Sequence, residues 1–329
     1  MRVAIMGCGP GGSYLRRLLQ LRRPEVEVDL YDVGARTKCG LKPCGWGVSL
    51  PEFAALCAEV DTNPGEFILS VYDQVVAEGM RISAKLAIID KPAFVRHMLG
   101  RTAIRIPTSE LKEYDIVVDA TGRRAYLGYN SNNISYCEAV EARVRLRSSM
   151  MPTAFMNIEG GYSWAVPLGD GTAHIGSLSI WGLDVAKQGM KKTTQEVNAG
   201  STLCTCSAPI TSFGPILPFT IGNVWGLGES IGLVDPVTGV GITAAMDSAR
   251  MMVDNWSKPG DYQRQILKKY GYMSKLARTV SKIVLGHMPG IKDIPLLRKS
   301  AHLAGIYPNP PEITKLSGVA VIIQKNRHN

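Results

Sequence analysis

The apolar positions change rhythm twice in the first thirty residues. Val3-Ala4-Ile5-Met6 is an unbroken apolar run, the pattern of a buried parallel strand. Gly7-Cys8-Gly9-Pro10-Gly11-Gly12 interrupts it, and Ser13 to Leu21 then sets Leu15, Leu18 and Leu19 on one helical face with Arg16, Arg17 and Arg22 toward another. Val26, Val28 and Leu30 alternate as a second strand that ends at Asp32. Farther on, Ile116-Val117-Val118 reads as another buried strand. Val140, Ala142, Val144 and Leu146 alternate with Glu141, Arg143, Arg145 and Arg147, which predicts a strand with one dry and one wet face. The turn signals Glu159-Gly160-Gly161 and Gly169-Asp170-Gly171 separate strands expected near 153–158, 162–167 and 172–180, a meander. Thr243 to Trp256 is a helix opened by a Pro/Gly turn. Tyr262 to Leu285 has helical spacing in Ile266, Tyr270, Met273, Leu276, Val280 and Ile283, with a break expected at Gly271.

These elements predict an α/β chain, and 329 residues at 45% hydrophobic suffice for one large or two intimately joined domains. No apolar run is long enough to span a bilayer, and the start lacks the layout of a secretory signal, so a cytoplasmic protein is expected. Seven cysteines at irregular spacings predict reduced thiols rather than a disulfide framework. The net charge of +9 is concentrated at one end: from Lys258 onward there are 13 Lys/Arg against 3 Asp/Glu, leaving 24 against 25 before it. With few aromatics among those charges and no nucleic-acid motif, a phosphorylated substrate or anionic lipid is the expected partner rather than nucleic acid. The basic helix at 262–285 either packs on the body with its lysines in water or lies on the inner membrane surface.

The first turn carries chemistry. Gly7 permits a tight turn, Gly9 lets backbone approach a pyrophosphate, Gly12 allows close helix packing, and the helix start offers N–H groups and positive dipole. Asp32, twenty positions after Gly12, is placed to accept both hydroxyls of an adenosine ribose. This combination predicts a dinucleotide site without choosing NAD or FAD. Two later segments choose. Asp119-Ala120-Thr121-Gly122 ends a buried strand in small residues. Gly228-Glu229-Ser230 is followed by Pro236-Val237-Thr238-Gly239-Val240-Gly241-Ile242 at a helix start, offering a carboxylate for a ribityl hydroxyl and a dipole for a reduced flavin ring. An NAD-only domain has no use for this third element.

Together, the GxGPGG start, the VVDATG strand and the GESIGLVDPVTGVGI segment resemble FAD-dependent oxidoreductases of the hydroxylase-like glutathione-reductase superfamily, most of all geranylgeranyl reductases. Residues 1 to about 256 carry the resemblance. Lys42-Pro43-Cys44-Gly45-Trp46-Gly47 resembles their CGxG loop beside the flavin. Tyr162-Ser163-Trp164-Ala165-Val166-Pro167, closing at Gly176, resembles their YxWxFP signature lining a prenyl cavity.

The resemblance implies a Rossmann-like FAD-binding domain made of 1–125 and 215–257, a mixed or antiparallel substrate-binding sheet over 126–214, and a basic helical C-terminal segment, 258–329. It assigns Gly7, Gly9, Gly11, Gly12 and Asp32 to the adenosine diphosphate half of FAD. Cys44, Gly45, Gly47, Lys91, Ala120, Gly122, Glu229, Gly239, Gly241 and Ile242 fall to the remaining FAD shell. Lys91 replaces the usual Arg, Glu229 the usual Asp, Val166 a Phe, and Glu159 a frequent Pro, and Lys cannot make a two-pronged guanidinium contact. The implied activity is saturation of C=C bonds in prenyl lipids or prenyl diphosphates, with ferredoxin or NAD(P)H as electron donor. Cys44, Tyr162 and Trp164 are its catalytic candidates, the thiol because an unperturbed one stays mostly protonated near neutrality. Without the resemblance, Tyr162 and Trp164 read as core aromatics. A flavin-dependent monooxygenase or halogenase, whose WxWxIP stretch occupies the same place, is the enzymatic alternative. A prenyl-binding carrier on this fold is the non-enzymatic one.

Other chemistry is weaker. Cys204-Thr205-Cys206 lacks zinc spacing and has no second Cys/His pair, the five histidines form no ligand pattern, and no metal is expected. Cys39 and Cys44 fit a flavin-contacting loop better than a redox pair.

Overall fold

The computed structural model describes residues 1–32, 42–106, 111–128, 136–211 and 214–325. The chain opens as expected, with β1 (Arg2–Met6), α1 (Pro10–Arg22) and β2 (Glu27–Tyr31). The helix begins at Pro10 rather than Ser13, because proline is preorganised for a first helical position and its missing N–H costs nothing there. Next come β3 (Gly47–Ser49), α2 (Leu50–Ala58), β4 (Ile68–Ala77), β5 (Met80–Ile89), α3 (Lys91–Leu99), β6 (Ile104–Arg105) and β7 (Ile116–Asp119). The meander is β8 (Tyr136–Arg145), β9 (Thr153–Phe155), β10 (Gly161–Pro167) and β11 (Thr172–Ser179), followed by α4 (Leu183–Glu196) and β12 (Thr202–Thr211). The return to the first sheet runs through β13 (Thr220–Ile221) and β14 (Val224–Gly226) into α5 (Ile242–Asp254). The C-terminal helices are α6 (Pro259–Tyr270), α7 (Tyr272–Val284), α8 (Ile294–Leu303) and α9 (Pro310–Lys325), with the expected break at Gly271.

Two sheets organise these strands. One has the order β13-β14-β7-β1-β2-β6, parallel except for the β13–β14 pair. The other has the order β12-β8-β11-β10-β9-β4-β5-β3 and is antiparallel apart from the β4–β9 pair. Strands β3, β4 and β5 arise within the first 125 residues yet complete this second sheet. The main core lies on the parallel sheet, where Tyr14, Leu15, Leu18 and Leu19 of α1 meet Met246 and Met252 of α5, all fully buried. Each such side chain contributes roughly 1.5–3 kcal/mol.

The apolar face of the C-terminal helices is used against this body. Ile266, Tyr270, Met273 and Leu276 are buried, Tyr262 Oη donates to Gly226 O at 2.8 Å, and Tyr270 Oη donates to Asp247 Oδ2 at 2.7 Å. Residues Gly305–Tyr307 run along β5, with Lys85 N–H donating to Gly305 O and Tyr307 N–H to Ser83 O. They cover a stretch of edge that β3 is too short to reach. Among the described residues no helix is long and apolar enough to cross a membrane.

Two expectations are corrected. Glu141 does not sit on a wet face: β8 lies between β11 and β12 with both faces covered at this point, and Val140, Glu141 and Ala142 are all buried. Reduced thiols hold for Cys8, Cys44, Cys57, Cys137 and Cys206, which are free, but Cys204 is disulfide-bonded. Cys39 lies outside the described residues.

Candidate functional site

Strands β1, β2, β7 and β14 all end at the same carboxyl edge of the parallel sheet, the usual place for a ligand in such sheets. At its centre Gly7 has φ 112°, and a Cβ there would lie 2.4 Å from Ala120 O. A Cβ on Gly12 would meet Gly7 O at 2.0 Å, so the helix start is pressed onto the strand turn. Gly11 faces Ala245 of α5. Gly9, by contrast, has no atom of the described residues within 4 Å of where its Cβ would be. The α1 N-terminus has no side-chain cap, so its backbone donors face this opening. Asp32 is anchored beside it: its Oδ2 accepts the Cys8 N–H at 2.7 Å.

Asp119 ties two of the sequence motifs together. Fully buried, its Oδ1 accepts from Thr121 Oγ1 at 2.7 Å and Ser230 Oγ at 3.0 Å, and its Oδ2 from the Tyr126 and Leu127 N–H groups. Ser230 Oγ in turn accepts the Gly122 N–H at 3.0 Å. The strand-end loop and the Gly228–Ile231 turn are therefore one unit. Glu229 extends from it, accepting the Thr211 N–H at 3.1 Å, with Oε2 so close to Gly122 that a Cβ there would be 2.9 Å away. Burial raises the Glu229 carboxyl above its ordinary range against the opposing charge of Lys42.

The Cys44–Gly47 loop meets β10 at the second sheet. Gly45 packs on Val166 and Trp164, where a Cβ would stand 3.2 Å from Val166 Cγ2 and 3.6 Å from Trp164 Cδ1. Gly47 instead starts β3 and packs on Leu86. Tyr162, Trp164 and Val166 share the half-exposed face of β10, while Ser163, Ala165 and Pro167 are buried on the other. The Tyr162 and Trp164 rings lie 5.8 Å apart, tilted by 54°. Trp164 lies across Gly176, where a Cβ would be 2.2 Å from Cζ2, so the glycine closing that motif is the seat of the indole.

Beneath the loop is a pair that the sequence pattern did not reveal. Glu141, 2% exposed, accepts the Cys44 N–H at 3.0 Å and the Trp164 Nε1–H at 3.2 Å through Oε2. Its Oε1 is 3.8 Å from His174 Nδ1, which has no hydrogen-bond partner among the described residues, and Trp46 stands edge-on to that imidazole at 4.5 Å. Burial pushes the Glu141 carboxyl up to about 7, against the Cys44 N–H and the Lys91 charge. Burial also pushes His174 down to about 3, helped by Arg143 and Lys91. The imidazole is therefore neutral near neutrality, and the contact is no salt bridge. In the sequence Glu141 stands out only as an acid at the head of an alternating row that continues with Arg143, Arg145 and Arg147.

Tyr162 closes the arrangement on the far side. Its hydroxyl donates to Thr238 O at 2.7 Å, and a Cβ on Gly239 would lie 3.0 Å from it. Asp235, fully buried, shapes that loop: Oδ1 accepts from the Val237 and Thr238 N–H groups, both at 3.0 Å, and from Ser300 Oγ of α8 at 2.6 Å. Gly241 is the N-cap of α5 and Ile242 its first residue, again without a side-chain cap.

The geometry thus gathers two groups of residues. Gly7, Gly9, Gly11, Gly12, Asp32 and Ala120 surround the first helix start. Gly45, Trp164 and Tyr162 bridge from the Cys44 loop to Gly239, while the charge of Lys91 reaches Glu141, His174 and Glu229. Two uncapped helix starts, an open glycine and flanking carboxylates fit an elongated, anionic dinucleotide. Among the described residues no group of three or more His, Cys, Asp or Glu could hold a metal ion.

No protein-family model matches the chain. The uncharacterized protein MJ1182 of Methanocaldococcus jannaschii is 25% identical over 330 residues, 84% of this chain and 88% of that protein. Among solved structures, a geranylgeranyl bacteriochlorophyll reductase-like protein of Thermoplasma acidophilum matches with a TM-score of 0.68 at 16% identity, over 96% of this chain and 98% of that one. The probable FAD-dependent monooxygenase PqsL of Pseudomonas aeruginosa matches at 0.62 and 14% identity, over 86% and 96%. A flavin-dependent halogenase of Xanthomonas campestris matches at 0.64 and 12% identity, over 99% and 95%. The chain shares the Rossmann-like α/β fold of these three proteins.

Proposed function

We propose that the protein is an FAD-dependent reductase that saturates C=C bonds of geranylgeranyl or other prenyl chains, in isoprenoid lipids or their diphosphate precursors. The observation that carries this reading is the half-exposed face of Tyr162, Trp164 and Val166, joined at one end to the Cys44–Gly45 loop and at the other to the Thr238–Gly239 loop. It offers an apolar, aromatic wall between the two segments expected to approach a flavin ring. The similarity to a geranylgeranyl bacteriochlorophyll reductase-like protein supports the same choice.

The α1 start and Asp32 would hold the adenosine diphosphate half of FAD. Glu229, Gly122 and Lys91 would face its ribityl and flavin portions, with Gly239, Gly241 and Ile242 at the ring's dipole-stabilised edge. When bound and reduced, FAD supplies a hydride from N5. The protein must supply a proton to the other alkene carbon and stabilise positive charge on the more substituted one. The faces of Tyr162 and Trp164 do the latter, at about 2 kcal/mol each when desolvated. The free thiol of Cys44, half-buried in the adjoining loop, is the candidate proton donor. Glu141 fixes both by accepting from Cys44 N–H and Trp164 Nε1–H. Electrons would arrive from ferredoxin or NAD(P)H.

The test is to purify the protein, reduce it anaerobically with dithionite, add a geranylgeranyl lipid and weigh the product. A gain of about two mass units per double bond, one hydride plus one proton, is expected. Oxygen-dependent turnover with oxygen or halide incorporated would replace this reading with a monooxygenase or halogenase. A colourless protein that binds prenyl lipid without turnover would replace it with a carrier.

A further inference from the structure

Away from the candidate site, three large apolar side chains stand in solvent within one turn of chain between α7 and α8: Leu285 is 62% exposed, Met288 49% and Ile291 91%. The backbone holds them there. Gly286, at φ 79°, ends α7 in the left-handed region, with its N–H on Ile283 O and the His287 N–H on Lys282 O, both at 2.9 Å. Asp293 then fastens the far side of the loop, accepting the Gly290 N–H and the Thr279 hydroxyl, each at 2.8 Å. These bonds hold the apolar tip away from the core.

The surroundings of the tip are basic. Lys275, Arg278 and Lys282 recur at helical spacing along one stripe of α7 that runs into Leu285, and Lys292, Arg298 and Lys299 follow the loop; all six are exposed. Between Lys275 and Lys299 the one acid is Asp293, already engaged by the loop and 3.8 Å from Lys282. We propose that the α7–α8 loop is a docking surface for an anionic phospholipid bilayer, its cations on the headgroups and Leu285, Met288 and Ile291 at the acyl boundary. Charge and apolarity are here arranged in the order that a bilayer presents them. A nucleic acid would pair with the lysines but leave the three aliphatic side chains in water, and Tyr272, the ring at the start of the stripe, is half-buried with Lys299 Nζ 4.1 Å over it rather than open for base stacking. Behind the loop, Leu276 of α7 and Leu297 of α8 pack with Val237, in the turn whose Thr238 carbonyl receives Tyr162. The docking loop is thus two helices from the proposed prenyl wall, although bilayer binding does not depend on the flavin reading.

The experiment is co-sedimentation of the full-length protein with vesicles of phosphatidylcholine alone and of equal parts phosphatidylcholine and phosphatidylglycerol. Three proteins are compared: wild type, the triple variant Leu285→Ser, Met288→Ser, Ile291→Ser, and the charge variant Lys275→Glu, Arg278→Glu. All are checked for an unchanged unfolding temperature. The expected result is binding to the anionic vesicles only, weakened by added salt, and reduced about tenfold or more in each variant, since apolar insertion and headgroup attraction act together. No binding to anionic vesicles overturns the proposal. So does wild-type binding by the serine variant, which would mean plain polyanion attraction. Retention on double-stranded DNA without vesicle binding would reassign the surface to nucleic acid.

Discussion

Two buried side chains with opposed proton preferences sit under the Cys44 loop, and their effect on stability has a definite sign. Glu141 titrates at about 7 in the fold against an ordinary 4.5, so its contribution is fully present below pH 4.5 and lost as pH rises through 7. His174 is lowered from 6.5 to about 3, so its contribution is full above pH 6.5 and lost as pH falls through 3. Between 4.5 and 6.5 the two trends offset one another. Glu229, also raised by burial, tilts the wild-type profile in the same sense as Glu141. Glu141→Gln removes the Glu141 part alone, so its urea midpoint should gain on wild type as pH rises from 4.5 through 7, by a few kcal/mol at most. Parallel profiles for the two proteins would show that Glu141 carries no such linkage. At the neighbouring Cys44, replacement by Ser should cut single-turnover prenyl reduction by roughly 100-fold or more while FAD stays bound, the range of a lost general acid. Full turnover in Cys44→Ser would remove the thiol as an essential donor.

At the scale of elements, the Asp235 turn shows how α5, α7 and α8 are coupled. Its buried carboxylate serves the half-buried N–H groups of Val237 and Thr238 and the buried Ser300 hydroxyl. Asp235→Ala should cost on the order of 2–4 kcal/mol, because several donors are left without an acceptor at once. It should also loosen the Thr238 carbonyl that Tyr162 holds, raising the KM for a prenyl substrate. A denaturation midpoint within error of wild type would contradict this. The same elements show what could be read in advance. The β1 turn, α1, β2 and the meander around β10 follow local periodicity and glycine spacing, which are written in neighbouring residues. The β4–β5 hairpin and α4 are not among the elements that the pattern predicts, and the alternation on β8 puts Glu141 on the wet side. Glu141 is buried by groups from elsewhere in the chain: the Cys44 N–H and Trp164 Nε1–H lie on its carboxylate, and β12 pairs beside β8 with Cys206 opposite Glu141, across more than sixty positions, contacts that no local pattern encodes. Tyr162 likewise looks like an ordinary strand aromatic until Thr238 is brought to its hydroxyl. The glycine closing its motif makes sense only once Trp164 lies across Gly176.

Across the whole molecule, the proposed FAD site is assembled from segments that lie far apart in the chain. The glycine turn after β1, the Asp119–Ser230 junction, the Cys44 loop and the α5 start belong to two sheets. A ligand that touches all of them binds the native state and has no comparable site on the unfolded chain, so FAD should stabilise the fold by mass action. At free FAD about 100-fold above its dissociation constant the gain is roughly 2.7 kcal/mol. The unfolding temperature should therefore climb with FAD concentration and should not respond to ADP to the same extent, because ADP reaches only the α1 end. Gly9→Val supplies the control: its Cβ would meet no atom of the described residues within 4 Å, so the apo-protein should unfold near the wild-type temperature. Its branched side chain would nevertheless project into the space a pyrophosphate needs, and the FAD-dependent rise should vanish. A variant that still gains stability from FAD as wild type does would place the cofactor somewhere other than this turn. The structural assignments built outward from it, to Glu229, Cys44 and the aromatic wall, would then have to be redrawn.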